Sequence, residues 1–188
     1  MKSIRLFFAA VLLSLYGLSV QAQLNTEAFD AYIKVQYERF ELPAISVAIV
    51  KDGGVILSSN YGKRSEAGDK VPDQNTLYGI ASLSKAFTAA SIGMLVDEGK
   101  LHWDDKVIEH LPWFEMYDSN VTEQMTIEDL LCHRSGLITF DGDLLWYGST
   151  YSREEAVRRI RYRAPTYTFR EEFGYQNLMF MTAGEVIE

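Results

Sequence analysis

Apolar residues Phe29, Ile33, Val35, Tyr37 and Phe40 recur at near-helical spacing over residues 25–40, and Asn25 or Thr26 can cap the start. Pro43 follows, and the period changes. Residues 44–51 (AISVAIVK) and 55–61 read as β-strands. Asp52-Gly53-Gly54 between them is a turn signal, so a hairpin is predicted. Residues 62–75 are polar and loop-like. From Thr76 the pattern turns helical. Leu83, Ala86, Phe87, Ala90, Met94 and Leu95 step by three and four, which predicts an apolar stripe, and Gly99 is a stop signal. Residues 103–112 read as an irregular link in which Asp104 and Asp105 can cap a helical turn. Thr126 opens a helix expected to end at Gly136. Ser152-Arg153-Glu154-Glu155 has the spacing of a capping box, and residues 176–188 form a last helix. No internal repeat or low-complexity segment interrupts this order.

The first 22 residues stand apart. Lys2 and Arg5 precede an apolar stretch over residues 6–18, and Val20-Gln21-Ala22 offers small residues at −3 and −1. This predicts a signal peptide cleaved between Ala22 and Gln23, with export to the periplasm or medium. The apolar run is short for a bilayer span, so no integral membrane span is expected after cleavage. A lipid anchor would need a cysteine where Gln23 stands. The net charge of −8 becomes −10 once residues 1–22 are removed. Such an acidic chain has no basic run to neutralise phosphates, so nucleic acid is not an expected partner. The Arg158, Arg159, Arg161 and Arg163 cluster reads as a solvated helix face. Cys132 is the only cysteine, which precludes an internal disulfide. Histidines at 102, 110 and 133 have no metal-ligand spacing, and neither a metal nor another cofactor is expected.

Two short pairs carry candidate chemistry. Ser82 and Lys85, three apart at a helix start, share a face and can touch. The free N–H groups of a helix N-terminus can stabilise an oxyanion beside the serine. A lysine able to shed its proton would activate the hydroxyl, and desolvation on the apolar stripe would favour that. With 14 Ser and 8 Lys in 188 residues, roughly 0.6 such pairs arise by chance. A capping serine followed by a snorkelling lysine is the alternative. Tyr175 and Asn177 form the second pair. In an extended segment they face one side, where the phenol can pass a proton and the amide can bond a substrate carbonyl. An ordinary loop tyrosine with a helix-capping asparagine is its alternative.

The surroundings of both pairs are informative. YGIASLSKAFTAASIGMLVDEGKLHWDDKV resembles the nucleophile region of serine β-lactamase-related proteins, TIEDLLCHRSGL resembles the LLTHTSGL stretch of that family, and FGYQNLMFMTAGEVIE resembles its Y-x-N element. The family comprises class C β-lactamases, D-alanyl-D-alanine carboxypeptidases and related esterases. The resemblance runs over residues 27–188. It implies an α/β (α+β) β-lactamase/transpeptidase-like fold, with residues 23–75 giving the helix and hairpin of the α/β part and residues 76–188 the helical region. It also implies that Ser82 is the acylated nucleophile, Lys85 its general-base partner, Tyr175 the phenolic acid/base and Asn177 an orienting amide. The Ser82 N–H would be one oxyanion donor. No chemistry is carried over to His133 or Ser135. The aromatics Trp103, Trp113, Phe114, Phe140, Trp146 and Tyr147 can wall a cleft, though such residues are more often core.

One element of the resemblance is missing. The K-T-G or H-x-G motif of the family follows Y-x-N, and no residue after Asn177 supplies it. The remaining sheet strands would lie there too. The expectation is therefore an incomplete fold, the N-terminal part of a secreted serine hydrolase, inactive on its own. Its substrates would be β-lactams, D-Ala peptides or esters, cleaved through an acyl-enzyme. A penicillin-binding or sensing module and a non-catalytic interaction relic are the alternatives.

Overall fold

Asn25 starts the first helix as the sequence suggests. Its side chain accepts from Ala28 N–H at 3.0 Å, opening α1 (Thr26–Arg39). The structure, a computed structural model, describes residues 24–188; the expected signal peptide and its cleavage point lie outside the described residues. The chain divides into two compact units, the first ending at Tyr78 and the second starting at Gly79.

In the first unit, β1 (Ala44–Lys51) and β2 (Gly54–Gly62) form an antiparallel hairpin. The two loop residues, Asp52 and Gly53, have φ of 51° and 78°. Two positive values make the turn whose twist matches that of the strands. The register jumps between Ile49↔Leu57 and Val50↔Val55, which leaves Ile56 as the extra residue of a bulge. α1 is fastened to β2 by a carboxylate. Asp30 accepts from Ser59 Oγ in a very short contact and from Tyr61 Oη at 2.7 Å. Those two bonds hold the Asp30 carboxyl below its ordinary range. Tyr37 stacks on Tyr61 with centroids 5.7 Å apart. Of α1, only Ile33 is buried; the apolar positions Val35 and Phe40 are exposed.

The second unit holds a contiguous apolar core. Its helices are α2 (Ser84–Asp97), α3 (Val107–His110), α4 (Ser119–Gln124), α5 (Ile127–Leu131), α6 (Arg153–Arg158) and α7 (Asn177–Ile187). Helix α7 is the hub, packing on α2, α5 and α6. It buries Leu178, Met179, Thr182 and Ala183, which recur at one- and four-residue steps along a single stripe. Each fully buried Leu or Met side chain contributes about 1.5–3 kcal/mol. Gly99 ends α2 at φ 69°, with Gly99 N–H on Val96 O and Lys100 N–H on Leu95 O. This paired bonding satisfies the last carbonyls of the helix.

Three expectations need correction. The stripe read on α2 meets the core only in part: Leu95 packs against it, but Leu83, Phe87 and Met94 are exposed, and Ile92, outside the stripe, is the buried residue. The helix is apolar on more than one side, so periodicity alone misjudges which side packs. The helix from Thr126 ends at Leu131, not Gly136, because Cys132 caps it and His133 turns left-handed at φ 58°. Asp105 does not cap α3. It accepts from His102 N–H and bonds His110 Nε2 at 3.0 Å. The arginine cluster is neutralised at the surface, Arg158 by Glu154, Arg159 by Glu155, Arg161 by Glu115 and Arg163 by Asp141. Among the described residues, no helix is long and apolar enough to cross a membrane.

Asp129 organises the loop that leads to α7. It completes a capping box with Thr126, accepting from Thr126 N–H at 3.0 Å and Oγ1 at 2.8 Å. It also takes Arg170 Nε at 3.0 Å and Nη2 at 2.6 Å, while Nη2 reaches Gln124 O. Burial pushes this carboxyl up, but the bonds from Arg170 and Thr126 win and hold it below the ordinary value. Its stabilising contribution is thus complete above the unfolded value of about 4 and is lost as pH falls through the lower folded value. Urea unfolding is expected to show Asp129→Asn less stable by about 2 kcal/mol at pH 7, with the gap closing toward pH 2. A gap independent of pH would contradict this role.

Candidate active site

Helices α2 and α7 bring the four sequence-predicted residues into one cluster. Ser82 lies in a 3-10 turn, Ala81–Leu83, that runs directly into α2. Ala81 before it has φ 45°, a left-handed value that a side chain other than glycine rarely adopts. Lys85, on the first turn of α2, donates from Nζ to Ser82 Oγ at 3.3 Å. Tyr175 Oη donates to the same oxygen at 2.7 Å. Among the described residues, the Ser82 N–H has no backbone acceptor and is free to meet an oxyanion.

Asn177 is the first residue of α7 and follows the extended Gln176. Its Oδ1 accepts from Lys85 Nζ at 2.5 Å. Its Nδ2 donates to both oxygens of Asp143, at 3.1 and 2.9 Å. A carboxylate cannot donate and an ammonium cannot accept, so these neighbours fix which end of the amide faces Lys85. Asp143 opens a 3-10 turn (Asp143–Leu145) behind Gly142, whose φ is 78°. That positive φ would strain any side chain, and a Cβ there would also crowd Leu178 Cδ1 at 2.5 Å, so glycine suits this turn beside α7.

Residues 133–140 clamp the segment that carries Tyr175. Gly174 N–H bonds His133 O at 2.9 Å, Tyr175 N–H bonds Thr139 Oγ1 at 3.1 Å, and Phe140 N–H bonds Tyr175 O at 2.9 Å. A Cβ at Gly174 would meet Leu137 O at 2.0 Å, which explains the glycine. The Tyr175 ring lies between aromatic neighbours: His133 stacks on it at 4.5 Å, and Phe140 meets it edge-on at 5.4 Å. Lys85 Nζ is 4.7 Å from the same ring's centroid. Lys85, then the bond to Ser82, hold the Tyr175 phenol below its ordinary value; burial and the Asp143 charge pull the other way.

A cleft of about 430 Å³ opens on this cluster, lined by Ser82, Lys85 and Asn177 on one side and by Trp146, Phe180 and Met181 on another. Of the aromatics flagged in the sequence, Trp146 lines the cleft and Phe140 touches Tyr175. Phe114 is core, and Tyr147 is exposed. Asp143 and the His133 ring were not legible as site residues. The DGD run around Asp143 reads as an ordinary turn, and no local spacing ties it to Asn177, 34 residues on.

Comparison with known proteins bears on most of the chain. The model of the Beta-lactamase family matches residues 29–188. "Unguisins hydrolase ungD'" of Aspergillus campestris is 35% identical over 170 residues, covering 85% of this chain and 31% of that protein. "Protein flp" of Staphylococcus aureus (strain COL) is 31% identical over 168 residues, covering 87% of this chain and 33% of that protein. Among solved structures, the octameric penicillin-binding protein homologue from Pyrococcus abyssi superposes with a TM-score of 0.74 at 26% identity. That match covers 87% of this chain and 39% of the other. The chain thus spans about a third of the length of the curated relatives it matches.

The ring charge on Tyr175 can be read directly. Ultraviolet titration, with Tyr175→Phe subtracted, is expected to place this phenol below the ordinary value of about 10. Lys85→Met removes the main cause and is expected to shift the midpoint upward; no shift would show that Lys85 does not set it.

Proposed function

We propose a function from one premise: the chain belongs to the beta-lactamase family. Its relatives include a hydrolase, and its fold is the β-lactamase/transpeptidase-like one. Within that family, the reading that fits these residues is a serine acyl hydrolase that works through an acyl-enzyme. The observation that carries it is the convergence of Lys85 Nζ and Tyr175 Oη on one oxygen, Ser82 Oγ. A serine hydroxyl is a weak nucleophile unless a neighbouring group takes its proton.

In the proposed cycle, Ser82 Oγ attacks a substrate carbonyl as its proton passes into the Lys85–Tyr175 pair. The acceptor is Tyr175 as the phenolate, the form that Lys85 favours by holding the phenol below its ordinary value; in that form the bond reverses and Ser82 Oγ–H donates to Tyr175 Oη. The new oxyanion meets the Ser82 N–H. The carbonyl bond to the leaving nitrogen or oxygen then breaks, and the leaving group takes the proton back. Water next attacks the acyl-serine, gives its proton to the same pair, and releases the acid; Ser82 recovers its hydrogen. Asn177, aligned by Asp143, holds Lys85 throughout and offers its amide edge to the substrate. The substrate class is an acyl compound: a β-lactam, a D-Ala peptide or an ester. Trp146, Phe180 and Met181 in the cleft lining favour a substrate that carries an apolar group. Because the chain spans only a third of its curated relatives, the activity of the whole protein is itself part of the proposal.

Kinetics on the whole protein with a chromogenic ester and a fluorescent penicillin test this. Ser82→Ala is expected to abolish reaction, and Tyr175→Phe to lower kcat by about 10²–10⁴-fold. A stable penicilloyl adduct without release would identify a penicillin-binding module instead. Reaction that survives in Ser82→Ala would overturn the assignment. We also propose export through residues 1–22. Sequencing the N-terminus of secreted protein is expected to start at Gln23, and retention of Met1 would contradict it.

A further inference from the structure

His133 was given no chemistry by resemblance, yet it grips the Tyr175 segment twice. Its carbonyl accepts from Gly174 N–H at 2.9 Å, and its Nδ1 accepts from Gln176 N–H at 3.0 Å. These bonds fall on either side of Tyr175. Between them, the imidazole lies face to face with the phenol ring, 4.5 Å between centroids and 26° between planes. Phe173 closes one edge of the imidazole at 5.5 Å, and Phe180 of α7 another at 5.3 Å. The left-handed backbone, φ 58°, turns the side chain back onto this segment.

A backbone N–H can only donate. Nδ1 must therefore carry a lone pair, and the ring proton must sit on Nε2. We propose that His133 is a positioning residue for Tyr175: its neutral imidazole, bonded through Nδ1 to Gln176 N–H and stacked under the phenol, sets the aim of Tyr175 Oη at Ser82, and acidification releases that aim. A second proton on the ring would set N–H against N–H at Gln176. It would also add a cation beside Lys85, the charge that faces His133 from α2. Tyr175 is the titratable group facing it from the loop before α7, and Phe173, Phe180 and Gln176 are uncharged. On its own segment stand Cys132, whose thiol burial pushes up, and Arg134. Burial, and then the Lys85 charge, hold His133 below the ordinary imidazole value of 6.5. The neutral form is thus the working form at neutral pH, and the strain of protonation builds as pH falls below that value.

The catalytic consequence rests on the proposed acyl-transfer function, so the test has two independent readouts. The first follows the His133 and Tyr175 ring resonances by NMR across pH in the whole protein. His133 is expected to be the Nε2–H tautomer at neutral pH, with a midpoint below 6.5. The Tyr175 ring is expected to shift with the same midpoint. In His133→Asn, whose amide oxygen keeps an acceptor for Gln176 and does not titrate, that step in Tyr175 should vanish. The second readout is the rate at which an activated phosphonate labels Ser82. In the wild type it is expected to fall on the His133 midpoint by on the order of tenfold. In His133→Asn that acid limb should be absent. His133→Phe keeps a ring but offers no acceptor, and is expected to label more slowly at every pH; if it does not fold, His133→Asn decides alone. A protonated Nδ1 at neutral pH, or an acid limb at the His133 midpoint retained in His133→Asn, overturns the proposal. If Ser82 is not labelled at any pH, the acyl-transfer reading fails, while the Tyr175 response still decides the positioning role.

Discussion

Lys85 and Asn177 are 92 residues apart in the chain, and their 2.5 Å contact is the constraint on which the site depends. It ties the first turn of α2 to the first residue of α7. The two helices pack in the same core, so the contact is set by burial of Leu178, Met179 and their neighbours rather than by the polar groups themselves. Once α7 is seated, Tyr175 lies two residues before Asn177 and reaches Ser82; Lys85 lies three residues after Ser82 and reaches Asn177. Four side chains become one cluster because two short local spacings are clamped face to face.

The groups behind the cluster hold it in one state. Asp143 accepts from Asn177 Nδ2 through both carboxylate oxygens, which turns the amide oxygen toward the Lys85 cation. Residues 133–140 grip the backbone on each side of Tyr175. The Arg170–Asp129 pair fastens the preceding loop to α5, and the Gly174 position admits no side chain. Such support matters because an acyl-transfer site loses rate steeply when its reacting groups drift by an ångström.

Much of this was legible from residue order. Ser82 with Lys85 and Tyr175 with Asn177 are local patterns, and helix and strand geometry puts each pair on one side. The hairpin at Asp52-Gly53 and the start of α1 at Asn25 also follow from local rules. What local rules could not supply was the choice of partner. The α2 stripe looked like a core face because its period is right, but of its large residues only Leu95 packs; Leu83, Phe87 and Met94 are exposed, and Ile92 is buried instead. Asp143 reads as a turn residue until α7 is placed next to it. His133 reads as the end of a helix, and only the fold sets its ring under Tyr175. In each case a long-range contact decided, and no spacing in the sequence records it.

The central claim is that Ser82 is the nucleophile of an acyl-transfer cluster. The most direct measurement is peptide mapping by mass spectrometry after the whole protein reacts with an activated phosphonate. The expected result is a single added mass on the peptide containing Ser82, with labelling slowed in Lys85→Met and Tyr175→Phe. Attachment to another residue, or labelling indifferent to Lys85 and Tyr175, would contradict it.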